Sequence, residues 1–583
     1  MTGTWQPKQP RPSFWPGEMF LLTDGSVFCH EWQTLRWWRL WPDSSGSYFT
    51  NHWQPAASMH DLRIFSGGTM MADGRVLIAG GYWVANNNTF PPVTTIEIYD
   101  PLADTWSKFD GPPKLLDDKT ICSAIGDGRI LVASPTTTDC GVYDPMMGNW
   151  VQAGQGKSWS AIDEIWALLP DGNMFANKSI QPKFQSSESY IPGQGKWVVT
   201  ATAPVDLTGS PFFGSQSGTG VLLTDGRVFF VGASGHTAFY RPAPNVNAPG
   251  TWDVGPDLPL NSHGHPMRAW DSPIVLLPNG NVLFQAYAQE WGNGGWSGDQ
   301  EHFFEFNLQT EFPELVDVSL PVEPGLQRTE FRMLLLPTGQ VLLMAAGETP
   351  QHKAVWENWI YTPDGAPFDS WRPKITLHPS SIQAGSIYPL RGQQINGLSQ
   401  AVCHGDFVSG ATNYPLVRLH QASSGKVWYC PTAGHSSMAV ATGTAVNSTT
   451  FLVPNGVALG KLDLSVVANG IESAPVTVQM KPSRPPFMVD GGLVNQLVGS
   501  LADGPLWALG PNGPVPIGPF NGRLRGEAVR ATQSIVEGLR QLQHVGQEVL
   551  AKRAEAAAAH PGPTRFLGKP ANMPGRTLPS LSR

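Results

Sequence analysis

Short apolar runs broken by turn dipeptides dominate the first two thirds of the chain. The dipeptides are Asp24-Gly25, Asp73-Gly74, Asp127-Gly128, Asp171-Gly172, Asp225-Gly226, Asn279-Gly280 and Thr338-Gly339. Two residues beyond each glycine an apolar strand former resumes the run, in order Val27, Val76, Ile130, Met174, Val228, Val282 and Val341. Asp-Gly and Asn-Gly suit two-residue type I′ hairpin turns, whose positive φ angles glycine tolerates. The units recur every 44 to 59 residues, the period of a propeller blade and not of a helical solenoid.

Most units continue into an aromatic corner and then a tryptophan. The corners are Trp41-Pro42, Tyr99-Asp100-Pro101, Tyr143-Asp144-Pro145, Tyr190-Ile191-Pro192, Tyr240-Arg241-Pro242 and Tyr361-Thr362-Pro363, and the tryptophans are Trp53, Trp106, Trp150, Trp197 and Trp252. The sixth unit has only Phe306-Asn307 and no matching tryptophan. Four strands per unit with aromatics wedged between neighbouring sheets is how a blade buries both faces. The pattern predicts a seven-bladed kelch-type β-propeller over residues 1–370. Blade seven lacks an obvious tryptophan strand, and an open ring would leave an unpaired edge. Thr4-Trp5-Gln6-Pro7 supplies such a strand, so residues near 3–9 are expected to close the ring.

Over residues 371–480 the texture changes to short alternating segments. They are Ala401–Cys403, Leu416–Leu419, Lys426–Cys430, Ser437–Ala441, Thr449–Val453, Leu462–Ala468 and Val476–Met480. They predict an immunoglobulin-like β-sandwich. The fold class is therefore all-β, with a C-terminal helical arm described below.

Composition refines this picture. A net charge of −8 gives no general pull towards nucleic acid or anionic membrane. No apolar run is long enough to span a bilayer. The first residues show no basic segment followed by an apolar core, so no signal peptide is expected. The expected location is cytoplasmic, or in a particle or virion released from the cell. The five cysteines, Cys29, Cys122, Cys140, Cys403 and Cys430, form no Cys-x-x-Cys pair and read as reduced thiols, with a Cys403–Cys430 bridge as the alternative.

The chain resembles the galactose oxidase and glyoxal oxidase family over roughly residues 1–480. The residues that carry the resemblance are Leu334–Val341 in the last blade, the junction Arg372-Pro373-Lys374-Ile375-Thr376, and the sandwich end Val466–Ile471 with Pro475–Val478. The resemblance implies a mononuclear copper held by two tyrosines and two histidines, one tyrosine cross-linked to a cysteine. Transferred to this chain, the cross-link cysteine falls at Ser66 and its tyrosine at Lys119. The tyrosine–histidine pair falls at Thr329-Glu330, and the sandwich histidine near Asn413. Copper(II) prefers imidazole and phenolate to these groups, so the radical oxidase is expected to be absent and no cofactor is expected.

The residues nine before each turn glycine are Pro16, Phe65, Lys119, Asp163, Ser217, Asp271 and Glu330, with Asp61, Arg63, Glu164, His263, His265, Arg268 and Arg332 nearby. They read either as a polar funnel or as solvated, mutually compensating charges. The funnel candidates are Lys119, Asp163, His265, Arg268, Asp271 and Glu330. His263-Gly264-His265 with Asp271 has metal-like spacing, but two histidines without a third placed ligand do not make a site. His404, Asp406, His420 and His435 would be scattered over both faces of a sandwich by strand alternation. No metal is expected. Trp32, Trp37, Trp38 and Trp41 are candidate stacking groups for a glycan, against an interblade-core reading.

Residues 481–520 are rich in proline and glycine yet carry apolar patches such as Leu506–Leu509 and Val515–Phe520. Residues 521–560 read as one amphipathic helix in which Ile535, Leu539, Leu542 and Val549 follow a coiled-coil rhythm. Residues 561–583 carry Arg565, Lys569, Arg576 and Arg583 and no acidic residue. This arm either folds back on its own chain or docks on a protein partner or a second copy. The sequence thus favours a non-catalytic binding or structural protein that displays a propeller face to a glycan or protein. A divergent enzyme using acid/base chemistry in the funnel and an intracellular interaction scaffold are the competing classes.

Overall fold

The computed structural model describes the chain except for Met1, residues 84–88, 113–114, 153–156, 178–185, 209–217, 246–247, 262–263, 265, 270–271, 293–294, 299–301, 309–313, 321–326, 349–352 and 402–409. Beyond residue 482 it describes two strands, Leu506–Gly510 and Gly513–Ile517.

Seven antiparallel sheets, each winding outward from an inner strand, form the propeller. The inner strands of blades 1 to 7 are Pro16–Leu21, Gly67–Met70, Ile121–Ala124, Ile165–Leu168, Thr219–Leu222, Ile274–Leu276 and Gln327–Leu335. Six sheets have four strands and blade 6 has six, because its strand Val282–Gly292 also pairs with Met267–Arg268 and Gly295–Gly298. The blade turns differ from the two-residue type predicted. Gly25 N–H donates to Leu22 O at 2.9 Å and Leu22 N–H to Ser26 O at 2.8 Å, so the loop is three residues long. Only its glycine has positive φ, +78° at Gly25. This is the type I turn with a glycine bulge, and the aspartate has a separate task. Asp24 Oδ1 accepts the Ser26 N–H at 3.0 Å, and Asp73, Asp127, Asp171 and Asp225 do the same two residues on.

Tyrosine and tryptophan sit opposite each other across the two outer strands: Tyr99 with Trp106, Tyr143 with Trp150, Tyr190 with Trp197 and Tyr240 with Trp252. Blade 6 replaces the pair with Phe306 and Leu315. In blade 7 the partner of Tyr361 is Trp5, because the strand Thr4–Pro7 pairs antiparallel with Ala354–Thr362. The first strand of the chain thus completes the last blade.

Two sheets form the sandwich. One orders Lys374–Leu377, Ile387–Gln393, Val446–Leu452 and Thr432–Ala433, and the other is built around Gly460–Ala468. Leu390, Val417, Leu419, Phe451, Leu464, Val466 and Val478 fill the space between. Ala401 and Ser437–Ala441, expected in strands, lie outside them. The sandwich rests on the turn face of the propeller. The Tyr429 ring lies so close to Gly25 that a β-carbon there would sit 2.7 Å from it. His435 N–H donates to Ala72 O and Met438 N–H to Gly126 O, both at 2.9 Å. A segment of the sandwich also enters the ring of inner strands. Leu276 N–H donates to Ala401 O at 2.9 Å, Leu168 N–H to Gln400 Oε1 at 3.3 Å, and the Tyr414 hydroxyl to Leu21 O. Ala401 is spent on the channel, which is why its alternation does not become a sandwich strand.

Residues 484–583 form a separate compact unit. There, inside the stretch read as linker, Leu506–Gly510 and Gly513–Ile517 pair as a hairpin. The helix expected at 521–560, with Ile535, Leu539, Leu542 and Val549, lies outside the described residues, as does the basic tail. Among the described residues no helix is long and apolar enough to cross a membrane.

Candidate functional site

The inner strands begin at the mouth opposite the sandwich, and in three consecutive blades the residue nine before the turn glycine is left-handed. Phe65 has φ +52°, Lys119 +54° and Asp163 +51°. Non-glycine residues adopt this conformation at a cost of about 1–3 kcal/mol each, and only where the surroundings enforce it. The consequence is that the three side chains meet. Lys119 Nζ lies 2.8 Å from Asp163 Oδ1 and 5.7 Å from the centre of the Phe65 ring. Asp118, next to Lys119, is half-buried, and burial together with the charge of Asp117 raises its carboxyl above the ordinary range.

Phe65 is also the centre of a row of rings. Trp32 of blade 1 meets it edge-on at 5.0 Å, and Tyr82 lies tilted against it at 5.5 Å. Phe90 meets Tyr82 edge-on at 5.4 Å. The guanidinium of Arg332 from blade 7 lies 6.0 Å from the Trp32 ring. Phe90 is 56% and Trp83 39% exposed, so the row ends in solvent. Rings flanked by a few polar groups are the usual composition of a small-molecule site. Tyr82, Trp83 and Phe90 were not among the sequence candidates. Their signal was the aromatic pair directly after Gly80-Gly81, whose left-handed backbone redirects the chain.

The other candidates divide. Arg268 is half-buried on the extra strand Met267–Arg268 of blade 6, opposite Tyr287. His263, His265, Ser217 and Asp271 lie outside the described residues. Glu330 pairs with Ala346 through the backbone, beside an irregularity that leaves Thr329 without a partner residue. Arg63 and Glu164, read as funnel residues, are buried inside blades instead. Arg63 donates to Glu97 Oε1 at 2.9 Å and Glu164 accepts from Lys157 at 2.9 Å. Arg332 is likewise 3% exposed. Of the four blade-one tryptophans, Trp37 is core, stacked on Phe28 at 4.3 Å, and Trp38 stacks on Phe14 at 5.0 Å. Trp41 lies beneath the Arg39 guanidinium at 4.5 Å. Only Trp32 joins the mouth.

The positions that match the copper site hold groups with other duties. The buried Ser66 hydroxyl donates to Glu18 Oε1 at 3.1 Å, and Glu18 Oε2 lies 2.9 Å from His30 Nδ1. Burial alone would raise the Glu18 carboxyl, but the hydrogen bond and charge of His30, aided by Arg332, outweigh it and hold it below the ordinary range. Asn413 is buried and donates Nδ2 to Met438 O at 3.0 Å. A bonded hydroxyl, a paired ammonium and a committed carboxamide offer copper(II) neither imidazole nor phenolate, so this donor set does not fit it. His435 is a sandwich core residue bonded to Thr449, and His420 lies 4.0 Å from Asp463. Among the described residues no three His, Cys, Asp or Glu side chains are grouped to hold a metal. Cys430 is a buried thiol, and Cys403 lies outside the described residues.

No protein-family profile matches the chain. No curated protein matches it either. Among solved structures it is similar to a fungal alcohol oxidase of the AA5 family in complex with copper, at 13% identity and a TM-score of 0.47, over 82% of this chain and 99% of that one. It is also similar to YjhT, at 12% identity and a TM-score of 0.37, over 53% of this chain and 99% of that one.

Proposed function

We propose that this protein is a binding protein whose propeller mouth holds a glycan, and that residues 481–583 attach it to a larger assembly. The observation that carries the reading is the row Trp32, Phe65, Tyr82 and Phe90 set beside the Lys119–Asp163 pair. Sugar rings present an apolar C–H face that stacks on aromatic rings, and hydroxyls that bond to ammonium and carboxylate groups. The ion pair supplies both a donor and an acceptor without net charge, which suits a polar ligand that is itself largely neutral. The test is an array of neutral and acidic oligosaccharides probed with the full chain and with Phe65→Ala. A saturable signal weakened about ten-fold in the variant, equivalent to ~1.4 kcal/mol, supports the reading. Equal binding by both proteins, or none by either, contradicts it. The arm is assigned to attachment because a two-stranded hairpin is marginal by itself and needs something to pack on.

A further inference from the structure

Blade 4 contains a lysine enclosed with two carboxylates. Lys157 Nζ lies 2.6 Å from Glu188 Oε1 and 2.9 and 3.0 Å from the two oxygens of Glu164, and all three side chains have no exposure. Trp159 donates to Glu164 Oε1 at 2.8 Å and Trp166 to Oε2 at 2.9 Å. The Trp197 ring covers the amine at 4.2 Å. The Ser158 N–H donates to Glu188 Oε2 at 3.0 Å. One positive and two negative groups sealed from water leave an unbalanced charge, which such a site does not tolerate without sharing a proton. Blade 2 has the corresponding glutamate, Glu97, but there an arginine, Arg63, faces it. A guanidinium balances charge and is no nucleophile, whereas a lysine amine becomes one once it gives up a proton, although here the two carboxylates outweigh burial and raise the Lys157 ammonium.

We propose that Lys157 and Glu188 condense into an intramolecular isopeptide bond inside blade 4, with Glu164 as the proton relay. The Lys157 ammonium passes a proton to Glu188 Oε1, 2.6 Å away, so that the acyl partner is a neutral acid, and the freed Nζ attacks its Cδ. The developing oxyanion on Oε2 is held by the Ser158 N–H, the arrangement that stabilises such intermediates. Glu164 takes a proton from the attacking nitrogen and hands it to the Oε1 hydroxyl, which leaves as water. An ammonium and a carboxylate become an amide and one water, with no oxidant or co-reactant. Glu164 is fitted to its role, because burial and the Glu188 charge raise its carboxyl against the pull of Lys157. Glu188 is the acyl partner because both Glu164 oxygens are already tied by indoles. The product ties the strand Ser187–Ile191 to the loop before Ile165–Leu168 and leaves one carboxylate in place of three charges.

Intact-mass measurement of the purified full chain tests this, followed by denaturation and tryptic mapping. The bond makes the protein lighter than its sequence by one water, and blocks cleavage after Lys157. Residues 130–178 then run as one species joined to 184–196. Lys157→Arg restores the full mass. Glu164→Gln retains both bond partners and is expected to keep the full mass too. Full mass in the unaltered chain, with free 130–157, 158–178 and 184–196, overturns the proposal. A missing water with free 184–196 would move the bond to Glu164 and overturn the assignment. The readout from the unaltered chain decides the matter even if a variant fails to fold.

Discussion

Trp5→Ala probes the closure of the ring at one side chain. The indole lies 4.8 Å from the Tyr361 ring and 5.3 Å from Phe303, and its Nε1 donates to Val318 O at 2.7 Å. It therefore ties blade 7, in which its strand pairs, to blade 6, which supplies Phe303 and Val318. Aromatic-to-alanine changes in a full core cost about 3–5 kcal/mol, and partial burial of Trp5 places it at the lower end. The lost indole hydrogen bond adds about 1 kcal/mol, for a total of about 3–4 kcal/mol. Deleting residues 1–9 should cost more. It removes the strand Thr4–Pro7 and the buried Lys8, whose Nζ donates to Asn51 O of blade 1 at 2.6 Å. It also bares the edge of Ala354–Thr362, which invites aggregation. Thermal melting by tryptophan fluorescence, with light scattering in parallel, measures both. A Trp5→Ala protein that melts with the unaltered chain, and a deletion that stays monomeric, would refute the closure argument.

Further outcomes follow from individual side chains. Burial lowers His435 from 6.5 to about 4 against the weaker pull of Asp73. The unfolded chain therefore takes up a proton below pH 6.5 that the folded chain refuses until about pH 4. Stability falls across that window by up to about 3 kcal/mol, and His435→Gln should flatten the fall in denaturant titrations. Metal analysis of protein purified without chelator should show no stoichiometric copper. Galactose, glyoxal and primary alcohols should yield no hydrogen peroxide. Leu539→Asp combined with Leu542→Asp should convert any assembly seen by light scattering to monomer, because charge in an apolar seam is not tolerated unpaired. A monomeric unaltered chain whose double variant merely melts earlier would place the arm on its own chain.

The blades were legible because each repeats a turn glycine two residues before an apolar strand, and most add an aromatic corner facing a tryptophan. Trp5 was legible for the same reason, since blade 7 had a tyrosine at Tyr361 and no obvious tryptophan strand after it. The turn type was misread because Asp-Gly fits both type I′ and the three-residue loop. What decides is whether the aspartate side chain caps the N–H two residues on, as Asp24 does for Ser26. Ala401 and Ser437–Ala441 alternate like strands yet contact the propeller, a tertiary demand that period-two patterning does not record. The opposite charges of Lys119 and Asp163 occupied the same register position in adjacent blades, so their pairing was implicit. The contribution of Tyr82 and Phe90 was not, because it depends on where the left-handed Gly80 and Gly81 send the chain. Arg63 and Glu164 were placed at the mouth by counting along strands, which gives height in the ring but not the face.

A crystal structure of the full chain with the strongest oligosaccharide from the array tests the central claim most directly. The account predicts a sugar ring seated on Phe65 and Tyr82, with a hydroxyl bonded to Lys119 Nζ or Asp163 Oδ1. A sugar bound only on the sandwich or on an outer blade edge, with the Lys119–Asp163 pair untouched, would contradict it.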